Sequence, residues 1–201
     1  MQAFTGNFTQ QEPIPEDAIA AAVAVMRGGR LHRYNTGAGE IAPAAMLEEK
    51  FAQYQGARYC LACASGGYAL SVSLRAAGVG AGDKVLTNGF TLAPVPGAIA
   101  AVGAEPVLVE ITRDLVIDLD DLDRRIGESG ARVLMLSHMR GHLVDMEALC
   151  TLLARHGVTL IEDCAHTMGA NGTAGPAGDS GWPGASRPRP TSISIPAKGD
   201  C

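Results

Sequence analysis

Four short apolar runs, at residues 85–87, 106–109, 133–137 and 158–161, recur between longer stretches of helical pattern, and this alternation constrains the fold most. Each run is bounded by turn residues and is too short for a helix, so each is read as a buried strand. The stretches between them predict helices at Ala93–Val102, Leu119–Ile126 and Met146–His156, with Asp118 and Asp145 placed as N-caps of the last two. Strands that are apolar throughout need cover on both faces, and strands joined through helices run parallel. The expected architecture is therefore α/β, a mainly parallel sheet with flanking helices. Upstream, an Ala-rich helix is predicted from Pro15 to Arg27 with Gly28 and Gly29 as its stop, and a second from Pro43 to Gln55 before Gly56. Arg58–Cys63 predicts a further short strand, followed by the turn Ala64-Ser65-Gly66-Gly67, a helix from about Tyr68 to Ala77 and a turn at Gly80–Asp83.

Composition divides the chain near residue 170. Asn171–Cys201 holds 6 Gly and 5 Pro in 31 residues, with Ile193 and Ile195 its only large aliphatic residues, so it is expected to be disordered. Residues 1–170 carry nearly all the aliphatic content, enough for one domain with a core. The net charge of -5 comes without a Lys/Arg cluster, which argues against a nucleic-acid partner. No apolar run reaches spanning length and no charged and apolar leader pattern is visible, so a cytoplasmic location and no membrane partner are expected. Five irregularly spaced cysteines suit a reducing compartment better than a disulfide framework. Cys60 and Cys63 have CxxC spacing, but residues three apart on a strand face opposite ways, so neither a shared metal nor a bridge is expected there.

Polar signals gather where strands end, which is where α/β sheets collect ligands. Ser65-Gly66-Gly67, between a predicted strand and a helix, offers helix N-terminal amides and close backbone approach, the makings of a phosphate cradle; a plain tight turn is the other reading. Asp163 lies just past the run 158–161, with Glu162 pointing the opposite way if the strand continues; an Asp capping a turn is the alternative. His166 follows three residues on, where a core histidine satisfied by backbone groups is equally admissible.

The stretch TLIEDCAHTMGA at 159–170, with Ala64–Gly67, SHMRGH at 137–142 and TNGFTLAPVPGAI at 87–99, resembles the DegT/DnrJ/EryC1/StrS aminotransferases, closest to the branch acting on keto-inositols and keto-sugars. The likeness is read over most of residues 1–170. It implies a fold-type I pyridoxal-phosphate transferase large domain, here incomplete, with pyridoxal 5'-phosphate as cofactor. By resemblance, Ser65, Gly66 and Gly67 would hold the phosphate, with Gly67 replacing a usual Thr. Asp163 would face the pyridine nitrogen, His166 the phenolic oxygen, and Phe90 the ring, although core packing also explains Phe90. Arg33, Tyr34 and Asn35 in GRLHRYNTGAGE, together with His138, are substrate-side candidates; for the first three an exposed loop is the bland reading. His142 belongs to the same loop as His138. The intact parent would be a homodimer that moves an amino group from glutamine or glutamate to a keto-sugar or keto-cyclitol.

The family attaches its cofactor to a lysine that also shuttles the proton, and no lysine of this chain matches that position. Lys50 falls in a helix, Lys84 at the amino end of a strand, and Lys198 in the Gly/Pro-rich tail. Taking the last base of each codon with the first two of the next, and choosing among synonymous codons, Asp179–Cys201 re-reads as FGLAGCIQAQTYKHINSGEGGL, which resembles the family's lysine segment. A frameshift between about Gly169 and Asp179 is therefore expected, leaving a catalytically dead chain able to hold the cofactor non-covalently at best. The alternatives are a non-catalytic cofactor-binding or partner-binding protein, and a nucleotide-binding oxidoreductase, for which no Gly-x-Gly-x-x-Gly turn is present.

Overall fold

The computed structural model describes residues 13–34, 36–167, 171–172, 175–176 and 193–196. Four parallel strands form its centre: β1 (Lys84–Asn88), β2 (Glu105–Val109), β3 (Val133–Ser137) and β4 (Thr159–Cys164). Two-residue strands β5 (Asn171–Gly172) and β6 (Gly175–Pro176) pair with each other, and β7 (Ile193–Pro196) adds a fifth parallel strand beside β4, giving the order β2-β1-β3-β4-β7. The rest of the segment expected to be disordered lies outside the described residues; the strand within it coincides with the tail's two β-branched aliphatics.

Helices α1 (Glu16–Gly28) and α2 (Pro43–Gln55) precede the sheet, and α3 (Gly66–Ala76), α4 (Pro94–Ala101), α5 (Leu119–Ser129) and α6 (Met146–His156) flank it. Their ends follow local chemistry. Asp118 accepts from the Asp120 and Asp121 amides and Asp145 from those of Glu147 and Ala148, while Gly130 and Gly157 close the same helices in the left-handed conformation. The pleat sorts the core into two layers. Val85, Val133, Met135 and Ile161 pack against α3 and α4 through Leu70, Leu74, Val95 and Ile99. Leu86, Leu134, Leu136 and Leu160 pack against α5 and α6 through Leu122, Ile126, Leu149 and Leu153. Burial on both faces explains why β1, β3 and β4 read as apolar runs, whereas β2, also expected to be buried, lies at the sheet edge and leaves Leu108 56% exposed.

The strand expected at Arg58–Cys63 does not form. The segment is irregular, Tyr59 and Leu61 are exposed, and no strand among the described residues lies alongside to satisfy its backbone. Instead the Ala62 amide donates to Glu48 Oε1 at 2.8 Å, so a side chain on α2 holds the segment that a ladder would have held.

Candidate functional site

The chain passes from β1 to β2 on one side and then crosses back to place β3 on the other side of β1. That reversal makes a topological switch point at the carboxyl ends of β1 and β3, the position where open α/β sheets take ligands. The main-chain register of β1 with β3 ends at Thr87 and Met135, and the Asn88 side chain takes over beyond it. Asn88 Oδ1 accepts from the Ser137 amide at 2.9 Å, while Nδ2 donates to the Ser137 carbonyl at 3.0 Å and to the Phe90 carbonyl at 2.8 Å. Ser137 in turn donates from Oγ to Asp163 Oδ2 at 3.1 Å, and the Ala165 amide donates to Asp163 Oδ1 at 3.1 Å. The half-buried carboxylate is thus oriented by two donors at the carboxyl end of β4. Asn88 and Ser137 were not among the sequence candidates; polar residues closing apolar runs were the available signal.

The same face of the sheet carries α3, which packs there through Leu70 and Leu74. Its first turn is the Ser65-Gly66-Gly67 segment: Ser65 caps the helix, accepting from the Tyr68 amide at 3.3 Å, and a Cβ at either glycine would meet nothing within 4 Å. An open helix N-terminus of this kind attracts an anion through its unpaired amides and its dipole. Thr87 projects to this face too, by its parity with Val85; its Oγ1 is fully buried with no hydrogen-bond partner among the described residues.

The other sequence candidates are distributed more widely. His166 is exposed beyond β4, its Nδ1 accepting from the Arg140 amide at 3.4 Å. Phe90 is half-buried and meets the exposed His142 edge to face, ring centroids 6.4 Å apart. His138 is buried on the face opposite Asp163, its Nε2 3.0 Å from Glu162 Oε1, so it lines no open surface in this structure. Glu162 and Asp163 do point opposite ways, as the strand period requires. Arg33 pairs with Glu48 at 2.6 Å, which raises its pKa further through that hydrogen bond and the carboxylate charge, and Tyr34 is exposed and stacked on His32. Asn35 lies outside the described residues. Of the lysines, Lys50 sits in α2 and Lys84 opens β1 at the opposite end of the sheet from Asp163, while Lys198 lies outside the described residues. Cys60 and Cys63 are not disulfide-bonded, and burial followed by the Glu48 charge pushes the Cys60 thiol up, away from a reactive thiolate. No helix among the described residues is long and apolar enough to cross a membrane.

Comparison with known proteins gives this arrangement a lineage. A pleiotropic regulatory protein of Geobacillus stearothermophilus is 38% identical over 62% of this chain and 33% of its own length. The L-glutamine:2-deoxy-scyllo-inosose aminotransferase of Streptomyces fradiae is 33% identical over 79% of this chain and 38% of its own. The crystal structure of 3-amino-5-hydroxybenzoic acid synthase superposes with a TM-score of 0.75 at 29% identity, covering 84% of this chain and 43% of that one. The chain therefore spans little more than a third of the curated relatives it matches. Residues 14–183 match the family's sequence pattern, so the likeness runs past residue 170, where the sequence reading ended it. The chain belongs to the DegT/DnrJ/EryC1/StrS aminotransferase family.

Proposed function

We propose that residues up to about 170 form part of the cofactor-binding large domain of a pyridoxal-phosphate-dependent aminotransferase. The intact parent aminates a keto-sugar or keto-cyclitol with glutamine or glutamate as donor. The family depends on pyridoxal phosphate, and the residues present fit it. The observation that carries the reading is the convergence, on one sheet face, of the oriented Asp163 carboxylate and the open Ser65–Gly67 helix start. Bound there, pyridoxal phosphate supplies an electron sink for the carbon losing its proton. Asp163 would hold the proton on the pyridine nitrogen, with Ser137 fixing the carboxylate. The Gly66 and Gly67 amides and Ser65 would take the phosphate. Thr87, buried beneath, would offer its unpartnered hydroxyl. The named chemistry of the Streptomyces fradiae relative supports glutamine as donor and an inosose-type acceptor.

In this reading the chain as written does not transaminate, because no lysine among the described residues stands where the proton would be moved, and the tail is out of frame. The parent is a homodimer, and the unpaired thiols of Cys60, Cys63 and Cys150 suit a cytoplasmic setting. A non-catalytic cofactor-binding or partner-binding role is the second reading, favoured by the regulatory name of the Geobacillus stearothermophilus relative.

The DNA across codons 165–201 separates the two. A shifted frame that reads through TYKHINSGEGG into further aliphatic-rich sequence supports the enzyme, and the repaired gene should then aminate a keto-cyclitol or keto-sugar. A stop before the lysine, or codons at Thr191 and Ser192 that cannot encode lysine across their boundary, refutes the frameshift and favours the second reading.

A further inference from the structure

Behind the cofactor face, on the α5/α6 side of the sheet, three metal-ligating side chains meet in the interior. His138, Glu162 and Cys164 are all buried, and one ligand atom from each lies within 4.8 Å of the other two. His138 Nε2 and Glu162 Oε1 are 3.0 Å apart. Ligand atoms around a tetrahedral zinc, at bond lengths of about 2.0–2.3 Å, stand roughly 3.3–3.8 Å from one another, so closing this set on an ion requires shifts of about an ångström. A second, independent observation points to a missing partner. Glu162 is 1% exposed, yet its Oε2 has no hydrogen-bond partner among the described residues. A buried carboxylate oxygen without a partner is costly and calls for a donor or a cation.

We propose that His138, Glu162 and Cys164 form a structural zinc site at the carboxyl ends of β3 and β4, with Cys150 of α6 as a candidate for the fourth ligand. Imidazole, thiolate and carboxylate together suit zinc better than magnesium or calcium, which prefer all-oxygen sets. Cys150 is half-buried, and its thiol is pushed up by burial and then by the charge of Glu162. The ion would bind as Cys164 gives up its thiol proton to solvent, and no redox change is involved. It would pin α6 to two strands whose adjacent residues, Ser137 and Asp163, carry the cofactor face.

The test measures zinc directly and does not depend on enzyme activity. The full chain carrying Cys60→Ser, Cys63→Ser and Cys201→Ser, which removes competing thiols, is purified from zinc-supplemented culture and dialysed against metal-free buffer. About one zinc per chain is expected, with cobalt substitution giving a thiolate-to-cobalt charge-transfer band. Glu162→Gln keeps an oxygen toward His138 and should weaken zinc binding by about tenfold or more, since even outer-shell changes cost that much. Cys164→Ala should abolish the cobalt band, and Cys150→Ser should weaken it if Cys150 is the fourth ligand. Should the variants fail to fold, the cobalt spectrum of the unsubstituted cluster decides alone. Zinc below about a tenth of stoichiometric, no thiolate band, or zinc retained at the parent's level in both Glu162→Gln and Cys164→Ala would overturn the site.

Discussion

Asn88→Ala tests whether the carboxyl ends of β1 and β3 are joined by a side chain, as the geometry indicates. Asn88 is 1% exposed and makes three hydrogen bonds, two of them to the amide and carbonyl of Ser137, itself 5% exposed. Truncation leaves both Ser137 main-chain groups buried without partners, at about 1–3 kcal/mol each. The Phe90 carbonyl is only part-buried and can turn to water. Partial relaxation places the expected destabilisation near 3 kcal/mol, well above the effect of an ordinary surface change. The comparison is Ser137→Ala, which keeps both main-chain bonds and loses only the donor to Asp163, for about 1.5 kcal/mol. Urea unfolding followed by circular dichroism should show a lower midpoint for each variant at unchanged m-value, Asn88→Ala falling roughly twice as far. A loss below about 1 kcal/mol for Asn88→Ala, or equal losses for both, would refute the bridging role.

Other outcomes follow from the same structure. Asp163→Ala and Ser65→Ala should each weaken pyridoxal-phosphate binding about 10- to 100-fold, the worth of one charge-assisted hydrogen bond, and equal affinity in wild type and both variants would remove the site. Glu48 is held below the usual carboxylate range by the hydrogen bond from Arg33, then by the Ala62 amide, against opposing desolvation. A depressed folded pKa gives stability that is present above the unfolded value and lost as pH falls through the folded one. The stability gap between wild type and Glu48→Gln should therefore be full at pH 7 and close below about pH 4.3; a gap that persists in acid contradicts this. Asp145→Ala should cost about 1 kcal/mol through the lost α6 cap, read as a midpoint shift in urea. α1 buries no residue and leaves Met26 63% exposed, with Leu31 and Leu61 also exposed, so light scattering should show self-association; a monodisperse monomer with a cooperative melt would contradict it.

What the sequence disclosed follows from the range of the forces involved. Helix ends set by a proline, an aspartate cap or a glycine stop are local, and α2 and α6 form at the residues those signals mark. Asp163 was expected just past the strand at 158–161 and lies within β4, which runs on to Cys164. Arg58–Cys63 misled because a strand exists only with a neighbour, and alternation within six residues says nothing about whether one is present. Asn88 and Ser137 went unnoticed for a related reason: their bond joins residues 49 positions apart, and only the β1 to β3 crossover brings them together. Arg33 was singled out for a substrate role, yet its charge is engaged by Glu48, a partner fifteen positions away that no local pattern identifies.

The contrast between adjacent residues 162 and 163 shows how much of the site depends on register. In the β3 to β4 ladder Leu136 pairs with Glu162 and Ser137 with Asp163, so the pleat turns Asp163 and Ser137 toward α3 and α4 while Glu162 joins His138 beneath α6. Two carboxylates of similar intrinsic acidity are thereby given different surroundings by one backbone: one meets a hydroxyl and an amide, the other an imidazole and a thiol in the interior. A slip of one residue would exchange them, and because residues 158–161 are apolar on both faces it would only trade Leu160 and Ile161 between the two core layers; what opposes it is burial of Asp163 without its Ser137 and Ala165 donors. Register thus decides which of the two carboxylates stands on the α3 side of the sheet, and the geometry of the candidate site follows from it.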